Sequence, residues 1–220
     1  MNAVASAVPA RGPQVLRPRT LVLTLLAIMG GWFVVANAVP YIVPDALHAS
    51  RYTGGRRPWL LLHIACGTAA LLAGPVQLWL GLGRRALHVH RRLGMAYTAS
   101  VAVGAVAAFV LAAQTQLGWV FGTGITGLGL AWIVTTGMAI AAIRRGRVAQ
   151  HEEWMVRSYV VTFAFVTFRV FWRILQGMGV GTLPEQVGAA SWFCWAVPLL
   201  IAEAVLQGRT VFAGPSAARA

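Results

Sequence analysis

Residues 58–83 read PWLLLHIACGTAALLAGPVQLWLGLG, 26 positions without a single Asp, Glu, Lys or Arg. A helix needs roughly 20 mostly apolar residues to cross a bilayer core, so this stretch is long enough to span one. Five further stretches share its character: 20–44, 95–115, 117–143, 154–176 and 187–207. The chain of 220 residues is 58% hydrophobic and 10% charged, whereas soluble domains carry about 25% charge. The fold class that follows is all-α: a polytopic integral membrane bundle of six transmembrane helices. It occupies residues 20–207, between cytoplasmic tails at 1–19 and 208–220.

The net charge of +13 comes from 18 arginines, with no lysine. Most of them sit in short loops beside apolar spans, which excludes a nucleic-acid surface. The N-terminal side carries Arg11, Arg17, Arg19, Arg84, Arg85, Arg91, Arg92, Arg144, Arg145, Arg147, Arg209 and Arg219; the other carries Arg51, Arg56 and Arg57. Positive charge stays on the cytoplasmic side of a membrane, so both termini are expected there, in a bacterial inner membrane. Trp59, Trp79, Trp119, Trp154 and Trp172 fall near span ends, as an interfacial aromatic belt requires. One rival concerns the first span, where Ala36-Asn37-Ala38 after residues 21–35 resembles a signal-peptide cleavage site.

Between spans, 45–57 holds Asp45, His48 and a Gly54-Gly55 break, and 84–94 and 144–153 are compact basic loops. The connection near residue 116 is tight enough to make spans three and four a hairpin. Gly118 and Gly122 have the four-residue spacing that lets helix backbones approach. Gly74-Pro75 is expected to kink span two, because Pro75 lacks a backbone donor. Cys66 and Cys194 both lie inside spans and read as small buried apolar residues.

Polar groups inside spans are costly and therefore informative. On span two, His63, Gly67, Gly74 and Gln77 fall near one line at 100° per residue. Membrane cytochromes of the b type pair ligating histidines with glycines that admit a porphyrin face. Glutamine is a poor haem ligand, so a hydrogen-bonded His and Gln in a bundle is the alternative. On span five, His151, Ser158, Thr162, Arg169 and Gln176 share one face, and Arg169 lies only ~6 Å past the span midpoint. That guanidinium should face the bundle interior or an anionic group, while Arg173 reaches the surface. His90 and His151 stand at the N-terminal-side mouths of spans three and five, each with a tyrosine two turns on, Tyr97 and Tyr159. This echo fits a duplicated helical hairpin. A metal on His88, His90, His151 and Glu152 or Glu153 is a weak alternative, because the loop arginines repel cations.

The set His63, Gly74-Pro75-x-Gln77, Arg84, His90-Arg91-x-x-Gly94-x-x-Tyr97, His151-x-x-Trp154-Met155-x-Arg157 and Arg169 resembles a family of bacterial predicted membrane proteins. That family is known as domain of unknown function 2306. The resemblance runs from about residue 60 to 175; Glu152 stands where the family's second motif carries arginine. It implies a multi-span fold and no particular activity.

Three functions are compatible with these residues. The first is a membrane redox component binding haem b or a quinone between spans two, three and five. In it His63, His90 and His151 act as ligands or proton acceptors, Gln77 belongs to the same polar stripe, and Arg169 holds an anionic group. The second is a proton or small-solute transporter, and the third a non-enzymatic membrane subunit or assembly factor. The first reading expects the buried cation and the imidazoles to converge on one interior space.

Overall fold

The computed structural model describes residues 18–42 and 55–212. Arg11, Arg17, Asp45, His48, Arg51, Gly54 and Arg219 lie outside the described residues, as do residues 1–17 and 213–220 of the two tails. All described regular structure is helical. Helix α1 (Pro18–Phe33) runs through a π-helical turn (Val34–Ala38) into α2 (Val39–Ile42). Then come α3 (Arg56–Leu82), α4 (Leu87–Ala113), α5 (Trp119–Arg144), α6 (Val148–Thr162), α7 (Ala164–Met178) and α8 (Leu183–Phe212). Five helical stretches are long and apolar enough to cross a membrane, and α6 with α7, bent by 40°, brings the number to six if the pair is one span.

The chain is inverted relative to a soluble protein. Leu25, Ile28, Val106, Val134, Leu200 and Ile201 are exposed on the outside, where lipid tails solvate them at no penalty. Gln77, Thr135, Thr136, Arg157, Ser158, Thr162 and Ser191 are buried. Without a hydrophobic force between helices in lipid, close packing and interhelical hydrogen bonds hold the bundle. The core accordingly mixes small and aromatic residues: Ala70, Tyr97, Val101, Ala105, Trp132 and Val161. Helix α3 packs along α4, α5 lies against α4, α6 and α8, and α1 leans on α3.

Short turns connect neighbours. Residues 83–86 pass from α3 to α4 with Arg84 and Ala86 in the left-handed region, at φ 49° and 36°. At the start of helix α8, Thr182 N–H and Oγ1–H both donate to Glu185 Oε2, at 2.7 and 2.8 Å.

Several expectations are corrected. The helix that carries span three begins at Leu87, ahead of the apolar run from 95, because the basic segment His88–Leu93 is helical too. Gly118 is not a packing glycine: at φ 91° it caps α5 and turns the chain. The helix runs unbroken through Pro75, and a helix break without proline or glycine falls at Phe163. Just before it the Thr162 hydroxyl donates to the Ser158 carbonyl at 2.9 Å, a back-bond that bends helices. The five-residue stripe expected on span five is thus divided: Ser158 and Thr162 are fully buried, whereas Gln176 is exposed. Cys66 and Cys194 are both free thiols.

Candidate functional site

Three polar layers stack along the bundle. The middle one joins α4, α5 and α6. Tyr97 Oη lies 2.8 Å from Ser158 Oγ and 2.7 Å from Thr162 Oγ1; Thr136 Oγ1 lies 2.7 Å from Ser158 Oγ. Trp132 Nε1–H donates to Thr162 Oγ1 at 2.7 Å. Each hydroxyl has one proton and two lone pairs. Thr162 gives its proton to the Ser158 carbonyl, so Tyr97 must donate to Thr162. Ser158 then donates to Tyr97, and Thr136 to Ser158. The chain of donors has one direction and leaves no hydroxyl idle.

The second layer lies toward the side that carries Arg56. A cavity of about 300 Å³ opens there between the first span, α3, α4, α5 and α7, with Cys194 of α8 also on its wall. Its walls are chiefly apolar: Leu60, Ile64, Leu111, Phe121, Phe165 and Phe168. The polar groups on it include Arg56, His63, Thr68 and Arg169. His63 Nδ1 is 2.9 Å from the Gly104 carbonyl. A carbonyl only accepts, so Nδ1 carries the proton and Nε2 keeps a lone pair for another partner, the arrangement by which second contacts orient a working imidazole. The Phe165 ring lies beside it, centroids 5.2 Å apart. Arg169 sits one turn beyond Phe165 and places its guanidinium over Trp172, 5.5 Å from the ring centroid. Arg56 Nε is buried without a hydrogen-bond partner.

The third layer is on the basic side. Gln77 Nε2 donates to the His90 carbonyl at 2.9 Å. The His90 and His151 rings meet edge-on with centroids 6.4 Å apart. His151 Nδ1 donates to the Ala139 carbonyl at 2.9 Å. Gln77 Oε1 and His90 Nδ1 are buried without partners. His88 is exposed.

The five residues singled out from the sequence therefore form two groups. His63 and Arg169 share the cavity; Gln77, His90 and His151 cluster at the other end. Fourteen residues of continuous helix separate His63 from Gln77, about 21 Å, so His63 cannot clasp one haem together with His90 or His151. The cavity that His63 lines does not include His90 or His151. The glycine hollows of α3 are also filled from within. A methyl at Gly74 would overlap the Tyr159 ring, and one at Gly67 would come within 2.7 Å of Phe165. These glycines admit the chain's own aromatics, so their presence gives no support to a porphyrin face.

Two features escaped sequence reading. Arg157, 5% exposed, donates to Glu203 at 2.6 Å and to Glu153 at 3.4 Å, and stacks on Trp154 with its guanidinium carbon 4.7 Å from the ring centroid. The Arg157–Glu153 spacing of four was legible; Glu203, 46 residues away, was not. Arg56 read as a loop residue, and only the cavity reveals it as a wall.

The fold and its interior define a multi-pass helical membrane protein with a polar-tipped cavity. Residues 60–206 match the family described as Predicted membrane protein (DUF2306), and the chain belongs to that family. No curated protein matches the chain, and no solved structure matches it. His63, Gln77, His90, His151 and Arg169 fall inside the matched segment; the first span and Arg56 precede it.

Proposed function

We propose that the protein is a quinol-binding component of a bacterial inner membrane, with the Arg56 side facing away from the cytoplasm. The observation that carries this reading is His63: an imidazole in an apolar cavity whose Nδ1 proton is committed to Gly104. Its free Nε2 is an acceptor, and a quinol supplies the matching phenolic O–H. The aromatic and aliphatic walls suit the ring and the isoprenoid tail, since ligand pockets combine apolar lining with a few placed polar groups. The test is extraction of the detergent-purified protein, with quinones identified by mass spectrometry. Near-stoichiometric quinone, lost in His63→Leu and kept in His151→Leu, is the expected result. An extract free of quinone, or quinone unaffected by His63→Leu, overturns the reading. An absorbance spectrum before and after dithionite tests haem b on the same sample; a Soret band that sharpens on reduction would favour haem over quinol.

A further inference from the structure

The cavity has a second level that a neutral quinol does not need. Arg56 lies seven residues before His63 on α3, about 10 Å nearer the membrane surface. Arg169 lies four residues past Phe165, the ring against His63, about 6 Å in the same direction. Two guanidiniums thus line one apolar space above the imidazole. We infer that Arg56 and Arg169 hold the phosphate of an anionic lipid whose acyl chains lie along the cavity wall.

The chain itself supplies the contrast. Where it answers a buried arginine internally, it does so fully: Arg157 has Glu153, Glu203 and the Trp154 face. Arg56 and Arg169 have no such answer among the described residues. Glu152, Glu153 and Glu203 belong to the basic side, and Glu185 is engaged by Thr182. Among the described residues Arg169 has the Trp172 ring and no carboxylate partner, and Arg56 leaves a buried Nε–H unmet. Both guanidiniums line one apolar space, and an arginine in such a medium is costly unless paired. A phosphate supplies the missing counter-charge, because guanidinium forks match its oxygens in bidentate fashion. The apolar remainder of the wall accepts acyl chain, which free phosphate would leave empty. The site shares the cavity's apolar wall with the quinol reading but takes its polar contacts from the outer level and not from His63.

The experiment is native mass spectrometry of the full chain in detergent, titrated in parallel with phosphatidylglycerol, phosphatidylcholine and inorganic phosphate. Phosphatidylglycerol should bind at least about tenfold more tightly than phosphatidylcholine, and inorganic phosphate should compete poorly. Arg56→Gln/Arg169→Gln should weaken phosphatidylglycerol by more than tenfold, as expected for losing charge-assisted bonds. Arg173→Gln, on an exposed residue, should not, and neither should His63→Leu, which keeps this outcome separate from the quinol test. Should the double variant fail to fold, Arg169→Lys replaces it: the charge remains but the fork is gone, and affinity should fall by severalfold. Equal binding of the two lipids, inorganic phosphate binding as tightly as lipid, or an unchanged affinity in the arginine variants overturns the inference. So does a gain in phosphatidylglycerol binding for Asp45→Asn, which would mean that an internal carboxylate already fills the role.

Discussion

Gly74→Ala should be among the most damaging single-methyl additions in the bundle. The Tyr159 ring occupies the space over Gly74, is 4% exposed, and is anchored by Oη donating to the Leu71 carbonyl at 3.2 Å. A methyl there forces the ring to retreat by well over an ångström into a filled interior. Overpacking of this kind costs about 1–3 kcal/mol, and loss of the Leu71 bond adds about 1 kcal/mol, giving about 2–4 kcal/mol together. In a Tyr159→Ala background the obstacle is gone, and the same methyl should cost under about 0.5 kcal/mol, a coupling of about 2–3 kcal/mol. Gly137→Ala is the control: nothing stands within 4 Å of its added methyl, and alanine favours helix over glycine by up to about 1 kcal/mol. Equilibrium unfolding in mixed detergent–SDS micelles, followed by the fluorescence of the nine tryptophans, measures all four variants. Additive effects in the cycle, or equal effects of Gly74→Ala and Gly137→Ala, would refute the packing of α3 on α6.

The same unfolding assay reads three further expectations. Tyr97→Phe should cost only about 1 kcal/mol, because Ser158 keeps Thr136 and Thr162 keeps Trp132 as partners; a cost above about 3 kcal/mol would mean that the hydroxyl chain collapses as a unit. Glu203→Gln should cost about 1–2 kcal/mol: Arg157 retains Glu153, and the Glu203 side chain is 42% exposed, so solvent and lipid headgroups soften the loss. Gln77→Met should be nearly neutral, within about 0.5 kcal/mol, because losing the bond to the His90 carbonyl is offset by removing a buried oxygen with no partner. A strong destabilisation there would show that Gln77 Oε1 has a partner in the membrane.

Hydropathy located the spans, because the length of an apolar run is fixed by bilayer thickness. It did not give the helix ends, since helix formation continues past an apolar run: Leu87–Leu93 is helical although it holds two histidines and two arginines. The bend at Phe163 had no proline or glycine to announce it, and the threonine hydroxyl beside it, bonded back to Ser158, also serves the Tyr97 network. Small residues on α3 announced a close approach but could not say what approaches, and a tyrosine and a phenylalanine arrived where a flat cofactor had been considered. For the candidate site, periodicity placed Arg169 correctly toward the interior. Span order set His63 near one membrane side and His90 and His151 near the other, but it did not say how the helices register at either level. Registration comes from contacts such as Gln77 to the His90 carbonyl.

The layering also bears on transport. A solute or proton moving straight through the bundle would travel from the imidazole layer to the cavity by way of the hydroxyl layer. Thr162 Oγ1 already accepts from Tyr97 and Trp132 and donates to Ser158, so its hydrogen-bonding capacity is full. Trp132, on the cavity wall, directs its only donor into that layer and has no acceptor to pass a proton onward. Opening this layer would break several buried hydrogen bonds at once, in a medium that offers no replacements. That layer stands between the cavity and the basic side, so a ligand at His63 would have to enter from the bilayer or from the Arg56 side, a route that would suit the proposed quinol better than a solute crossing the whole bundle.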